Sequence, residues 1–169
     1  MKNILITGAT GFVGINIVRK LLEESDAYLY LLVRNAGQNS AINRMHKLLA
    51  TYYLEIEQYN YILNRIEIIS GDIVEEKLGL SNTAWNELSQ KINIIYHCAA
   101  TIHFNLPFNE AYDINVLGTK RVLDFADQCY KNNVLSVMNH ISTAYVAEKI
   151  SRTFFENELN IGQEFIMSP

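Results

Sequence analysis

Residues Ile4-Leu5-Ile6-Thr7 are an apolar run of strand length that passes directly into Gly8, Gly11 and Gly14, spaced three apart, and then into an amphipathic stretch from Phe12 onward. A strand that bends so abruptly into a helix points to an α/β layer, and it leaves the N–H groups of the helix start at the bend. Such groups bind the pyrophosphate of a dinucleotide, and a side chain at Gly8 or Gly11 would hold the phosphates off. Gly14 lets the helix lie close against its strand. The spacing is Gly-x-x-Gly-x-x-Gly rather than Gly-x-Gly-x-x-Gly, so an ordinary glycine-rich turn is the competing reading. The strand before and the helix after favour nucleotide binding.

Apolar runs of strand length recur at Leu29–Val33, Ile66–Ile69, Ile94–His97 and Leu135–Ile141. Between them apolar residues return every three or four positions, which predicts helices over Phe12–Glu23, Ala41–Tyr59, Ala84–Gln90 and Asn109–Tyr130. Ile15, Val18, Leu21 and Leu22 form the inward stripe of the first. Pro107 suits the start of the last. The tyrosines at 52, 53, 59 and 61 fit core packing and an exposed helix face better than an aromatic binding surface. The alternation predicts a doubly wound parallel sheet with helices on both faces. No repeat, low-complexity linker or domain boundary interrupts it, so residues 1–169 are expected to form one domain. A doubly wound sheet would continue with more strands after Pro169, and the sequence reads as cut there.

Composition narrows the function. The chain has 169 residues, 49% of them hydrophobic, enough for a sizeable core. A net charge of −4 without a basic block gives nucleic acid no phosphate-gripping surface. Cys98 and Cys129 form no Cys-x-x-Cys pair and no secretory segment precedes them, so reduced thiols in the cytoplasm are expected, with no metal site. No apolar run approaches the ~18 residues of a membrane span.

The strand ends carry the chemistry. An acidic residue after the second strand would accept hydrogen bonds from a ribose diol and select NAD, but Leu31-Leu32-Val33 is followed by Arg34. Its planar cationic fork suits a 2′-phosphate, and Arg44 could add a second clamp, so NADP(H) is expected. The plain alternative for Arg34 is a solvated strand-end arginine. Gly71-Asp72-Ile73 follows the third strand, where Asp72 could accept from the adenine amino group, although Gly-Asp is also a common turn pair. Ala99 and Ala100 follow the fourth, small enough for a cofactor to pass and equally suited to tight packing. His97 is expected to be satisfied by backbone, and His103 to lie in a loop.

Taken together, Thr-Gly-Ala-Thr-Gly-Phe-Val-Gly14, Leu-Leu-Val-Arg34, Gly71-Asp-Ile, Tyr96-His-Cys-Ala-Ala, Asn115-Val-Leu-Gly-Thr119 and His140-Ile-Ser-Thr-Ala-Tyr-Val146 resemble the extended short-chain dehydrogenase/reductases in content and order. The Leu-Leu-Val-Arg strand end, Ala41-x-x-Arg44, the Leu-Gly-Leu-Ser81 stretch with Trp85, and Ser-Thr-Ala-Tyr-Val are most similar to the thioester reductase and fatty acyl-CoA reductase branch, the male-sterility type. The resemblance spans essentially the whole chain and implies a Rossmann-like fold. It implies that Gly8, Thr10, Gly11, Phe12 and Gly14 form the pyrophosphate loop and that Arg34 and Arg44 hold the 2′-phosphate. Asp72 and Ile73 would flank the adenine, and Ala99 and Ala100 would run beneath the cofactor. Asn115 would sit near the active site, with Thr143 as the catalytic hydroxyl. The implied reaction moves hydride from NADPH to an acyl thioester on phosphopantetheine, of an acyl carrier protein or CoA, giving a hemithioacetal that collapses to an aldehyde, in some relatives reduced on to the alcohol.

Hydride addition builds negative charge on the carbonyl oxygen, which a fixed hydroxyl such as Thr143 stabilises. In the family a tyrosine and a lysine four residues later work with it. Tyr145 and Lys149 have that spacing but follow Thr143 too closely for a loop and helix to intervene, so the true pair is expected beyond residue 169, with the last strands and substrate lobe. This piece is then expected to bind nucleotide without catalysing, and its open sheet edge to favour association. Two other readings share the glycine loop: a sugar-nucleotide epimerase or dehydratase, opposed by the Arg34 and Trp85 regions, and a non-catalytic NADP-sensing module.

Overall fold

A computed structural model of the chain describes residues 1–103, 105–143 and 152–158. The five apolar runs become five parallel strands, β1 Asn3–Thr7, β2 Tyr28–Val33, β3 Ile66–Ser70, β4 Ile94–His97 and β5 Val137–His140. Their order is β3-β2-β1-β4-β5, the expected α/β, Rossmann-like sheet. The chain starts mid-sheet, builds outward to β3 and then crosses back to set β4 on the other side of β1. That reversal leaves a crevice at the carboxyl ends of β1 and β4.

Alternating side chains explain the two layers. Ile4, Ile6, Leu29, Leu31 and Val33 belong to one core, which α1 Phe12–Glu24, α2 Ala41–Ala50 and α3 Ile56–Leu63 complete with Ile15, Val18, Met45, Leu49 and Ile62. Leu5, Tyr30, Leu32 and Ile95 belong to the other, closed by Trp85 and Leu88 of α4 Asn82–Ser89 and by the last long helix. That helix is reached through α5 Phe108–Tyr112 and a wider π-type turn, Asp113–Leu117, which leads into α6 Gly118–Lys131. Trp85 meets Phe125 edge to face, centroids 4.9 Å apart. Burial on both faces is why β1 and β2 read as unbroken apolar runs. Each fully buried leucine or isoleucine in them contributes about 1.5–3 kcal/mol.

Three elements differ from expectation, the first being the helix expected over Asn109–Tyr130, which the π-type turn divides into α5 and α6. The single helix expected over residues 41–59 is two: α2 stops at Ala50, the Thr51 hydroxyl donates to the Leu48 carbonyl at 2.7 Å, and the chain turns before α3. Met45, Leu49 and the buried Tyr53 keep a four-residue spacing across the stop, so periodicity alone does not reveal it. The expected strand over 135–141 narrows to Val137–His140. Arg65 ties the halves of the first layer together by donating to the carbonyls of Leu22, Ser25 and Ala27 at the end of α1. Among the described residues β3 and β5 are the sheet edges.

Candidate cofactor site

Gly8 turns the chain out of β1 with φ +69°, the left-handed region that favours glycine. A Cβ there would lie 2.6 Å from the Ala99 nitrogen, and a Cβ on Gly14 would lie 2.1 Å from the Gly8 carbonyl oxygen. Both glycines therefore serve backbone packing. For Gly8 this adds to the sequence reading: its missing side chain also makes room for the loop after β4. At Gly11 the situation is different, because a Cβ would meet only the Gly8 carbonyl, at 3.3 Å, and otherwise open space.

Gly11 is also the N-cap of α1, and no side chain caps that helix. Elsewhere the sequence supplies caps: Ser40 accepts from the Asn43 N–H at the start of α2, and Ser81 from the Ala84 N–H at the start of α4. The first-turn N–H groups of α1 are thus left beside the crevice, at the positive end of the helix dipole.

The crevice holds a cavity of about 480 Å³, within the usual range for small-molecule sites. Thr10 and Gly11 line it from the glycine bend, Arg34 and Arg44 from beyond β2, and Asp72 and Ile73 from beyond β3. Ala99 and Ala100 line it from beyond β4, with His103 further along the same loop. Gly8 lines it too, while Gly14 lies beneath the bend. The Arg44 guanidinium donates to the Arg34 carbonyl, which brings the two arginines together at the end of β2. Among the described residues neither pairs with a carboxylate. One Asp72 oxygen accepts from the Val74 N–H at 3.2 Å, which fixes the carboxylate at the rim.

Three further expected residues do not themselves line the cavity. Phe12, the first residue of α1, is 86% exposed and outside the cavity lining, so its side chain does not line the loop. Asn115 sits in the π-type turn behind the β4 loop: its Oδ1 accepts from the Thr101 N–H at 2.9 Å and its Nδ2 donates to the Thr101 carbonyl at 3.1 Å. Thr143 is exposed, three residues past β5, and also outside the lining. Tyr145 and Lys149 lie outside the described residues.

His97 departs from the expected backbone partnership. It is fully buried, with Nδ1 2.7 Å from Thr7 Oγ1 and Nε2 3.0 Å from Thr119 Oγ1. Burial pulls its pKa down to about 4, and His140, stacked at 5.1 Å, acts in the same direction. The ring is neutral at pH 7. Burial pushes the Cys98 thiol up and Cys129 up to about 12, so neither is a poised nucleophile. Among the described residues no cluster of ligands suits a metal, and no helix is long and apolar enough to cross a membrane.

Sequence reasoning gave Thr7 and Thr119 no role. The signal available was register: Thr7 is the direct partner of His97 across β1 and β4.

An uncapped helix start, two arginines without a carboxylate partner among the described residues and a crevice at the switch point of a 3-2-1-4-5 sheet define a dinucleotide-binding domain of the Rossmann-like class. The chain belongs to the male sterility protein family of NAD-binding domains, whose pattern matches residues 6–165. It is 39% identical over 149 residues to fatty acyl-CoA reductase 1 of Gallus gallus, a match covering 85% of this chain and 28% of that protein. The terminal R domain from the myxalamid PKS-NRPS biosynthetic pathway superposes with a TM-score of 0.73 at 35% identity, covering 86% of this chain and 36% of that one. A UDP-glucuronic acid 4-epimerase from Bacillus cereus, solved with NAD, shares the fold at 24% identity and TM-score 0.63, over 92% of this chain and 44% of that one.

Proposed function

We propose that residues 1–169 are the NADP(H)-binding domain of an oxidoreductase that reduces acyl thioesters on the phosphopantetheine of CoA or a carrier protein. The observation that carries the choice of NADP(H) is the pair Arg34 and Arg44, side by side at the end of β2 without carboxylate partners. A ribose 2′-phosphate would neutralise them through charge-assisted hydrogen bonds, and a ribose diol would leave them without an anion. The first turn of α1, beside the open side of Gly11, suits the pyrophosphate. Asp72 and Ile73, which line the cavity beyond β3, would flank the adenine, one accepting from its amino group and the other packing against its ring.

Bound NADPH supplies hydride to the thioester carbonyl. The chain's own part is to hold the nucleotide along the carboxyl ends of β1, β2 and β3. The Thr143 hydroxyl, exposed just past β5, would donate to the carbonyl oxygen of a substrate lying outside the nucleotide cavity as negative charge builds. The thioester assignment is supported by the relatives, a fatty acyl-CoA reductase and an R domain of a biosynthetic assembly line. Calorimetric titration tests the cofactor choice. NADPH is expected to bind at least about tenfold tighter than NADH; equal affinities would remove the 2′-phosphate assignment.

A further inference from the structure

Ala99, Ala100 and Thr101 line the β4 side of the cavity, and Ala99 packs against the second core through no more than a methyl group. Two hydrogen-bonded contacts hold it. The Ala99 N–H donates to Thr7 Oγ1 at 3.3 Å, and the Asn115 side chain brackets Thr101 from both sides of the peptide chain. Thr7 and Asn115 are themselves joined behind the loop, through His97 and Thr119.

The protons along this path can be assigned from its far end. Thr119 Oγ1 lies 2.7 Å from the Asn115 main-chain carbonyl, which can only accept, so the Thr119 hydroxyl donates there. The same oxygen then accepts from His97, which puts the ring proton on Nε2. Nδ1 is left as an acceptor, so the Thr7 hydroxyl donates to it. Thr7 Oγ1 in turn keeps a lone pair for the Ala99 N–H. Every donor along the path has an acceptor under one assignment, running Ala99 N–H, Thr7, His97, Thr119, Asn115 carbonyl. In the opposite tautomer Thr7 Oγ1 would accept from Nδ1–H, leaving the Thr7 proton without its ring acceptor, and the Nε2 lone pair would face the oxygen of Thr119, whose proton is already given to the Asn115 carbonyl.

We propose that His97 and Thr119, which do not themselves line the cavity, are positioning residues. Their one-directional hydrogen-bond path sets the shape of the Ala99–Thr101 loop that the nucleotide meets. The proposal rests on the reading of the cavity as a nucleotide site, and its test separates the two.

In the ligand-free protein, ¹⁵N spectroscopy of the His97 ring is expected to show a protonated Nε2 and an unprotonated Nδ1 at neutral pH. The Thr119→Val variant is expected to speed amide hydrogen exchange at Ala99 and Thr101 relative to core amides such as Leu5. The same change is expected to weaken NADPH binding about tenfold. Thr119→Ser, which restores the hydroxyl, is expected to recover both and serves where the valine variant folds poorly. An Nδ1-protonated ring, unchanged exchange at Ala99 and Thr101 in Thr119→Val, or wild-type NADPH affinity in that variant would overturn the proposal. If the wild-type protein binds no NADPH, the nucleotide reading fails, while the tautomer and exchange measurements still decide the hydrogen-bond path.

Discussion

On the β1 side of the crevice the shape comes from side chains that are missing, at Gly8 and Gly14. On the β4 side it comes from hydrogen bonds among Thr7, His97, Thr119 and Asn115, which join residues as far as 90 positions apart. The first wall is local and steric, and nothing larger than hydrogen fits at its two packed glycines. The second is distributed, and its atoms can be exchanged one at a time. The two walls should therefore fail differently: the β1 wall through loss of folding, the β4 wall through loss of fit.

The largest expected effect separates two glycines within one loop. Gly14→Ala forces a Cβ onto the Gly8 carbonyl and is expected to cost about 3 kcal/mol or more, lowering Tm by roughly 6–12 °C. Gly11→Ala, whose Cβ faces open space apart from one 3.3 Å contact, is expected to keep Tm within a few degrees and to lose nucleotide binding instead. Thermal unfolding of both variants checks this, and equal losses of stability would erase the distinction between packing and ligand-facing glycines.

Next in size is the cation pair beyond the β1 wall, at the end of β2. Arg34→Ala is expected to weaken NADPH binding by about 1.5–3 kcal/mol while leaving NADH binding nearly unchanged, since a charged hydrogen-bond partner is lost only for the 2′-phosphate. A parallel fall in both titrations would show a role in loop structure rather than in phosphate binding.

The smallest effect probes the β4 wall through pH. His97 is neutral when folded, with its pKa down at about 4 against an ordinary 6.5, so the unfolded chain takes up a proton first as pH falls. The stability that His97 contributes is therefore complete well above pH 6.5 and declines as pH drops through 6.5 toward 4, by about 1.4 kcal/mol at roughly pH 5.5. Thr7 and Thr119 carry no charge, and His140 is the titratable ring stacked against it. Urea unfolding of wild type and His97→Gln should show a steeper loss for wild type across that window. Identical slopes would contradict a buried neutral ring.

What the sequence makes legible follows the same division. The glycine bend, Arg34, Asp72 and the alanines sit at strand ends, so a run of apolar residues followed by a marker residue locates each of them at the crevice. The stop between α2 and α3 escapes because Tyr53 continues the apolar period that Met45 and Leu49 begin. His97 looks like any strand-end histidine until the register brings Thr7 beside it and the π-type turn brings Thr119 to its other side. Hydroxyl partners from distant segments leave no periodic trace, and a short strand such as β4 carries no mark of what faces its last residue.

The phosphates of the nucleotide dock at the one helix start, of the three compared, that no serine caps, if the cavity is a nucleotide site. Amide chemical shifts followed during titration with NADP⁺ test this most directly. The largest changes are expected at Gly11, Phe12 and Val13, with the Ala84 N–H that Ser81 caps at the start of α4, outside the crevice, showing no comparable response. Saturable binding that leaves Gly11, Phe12 and Val13 unmoved would contradict this docking.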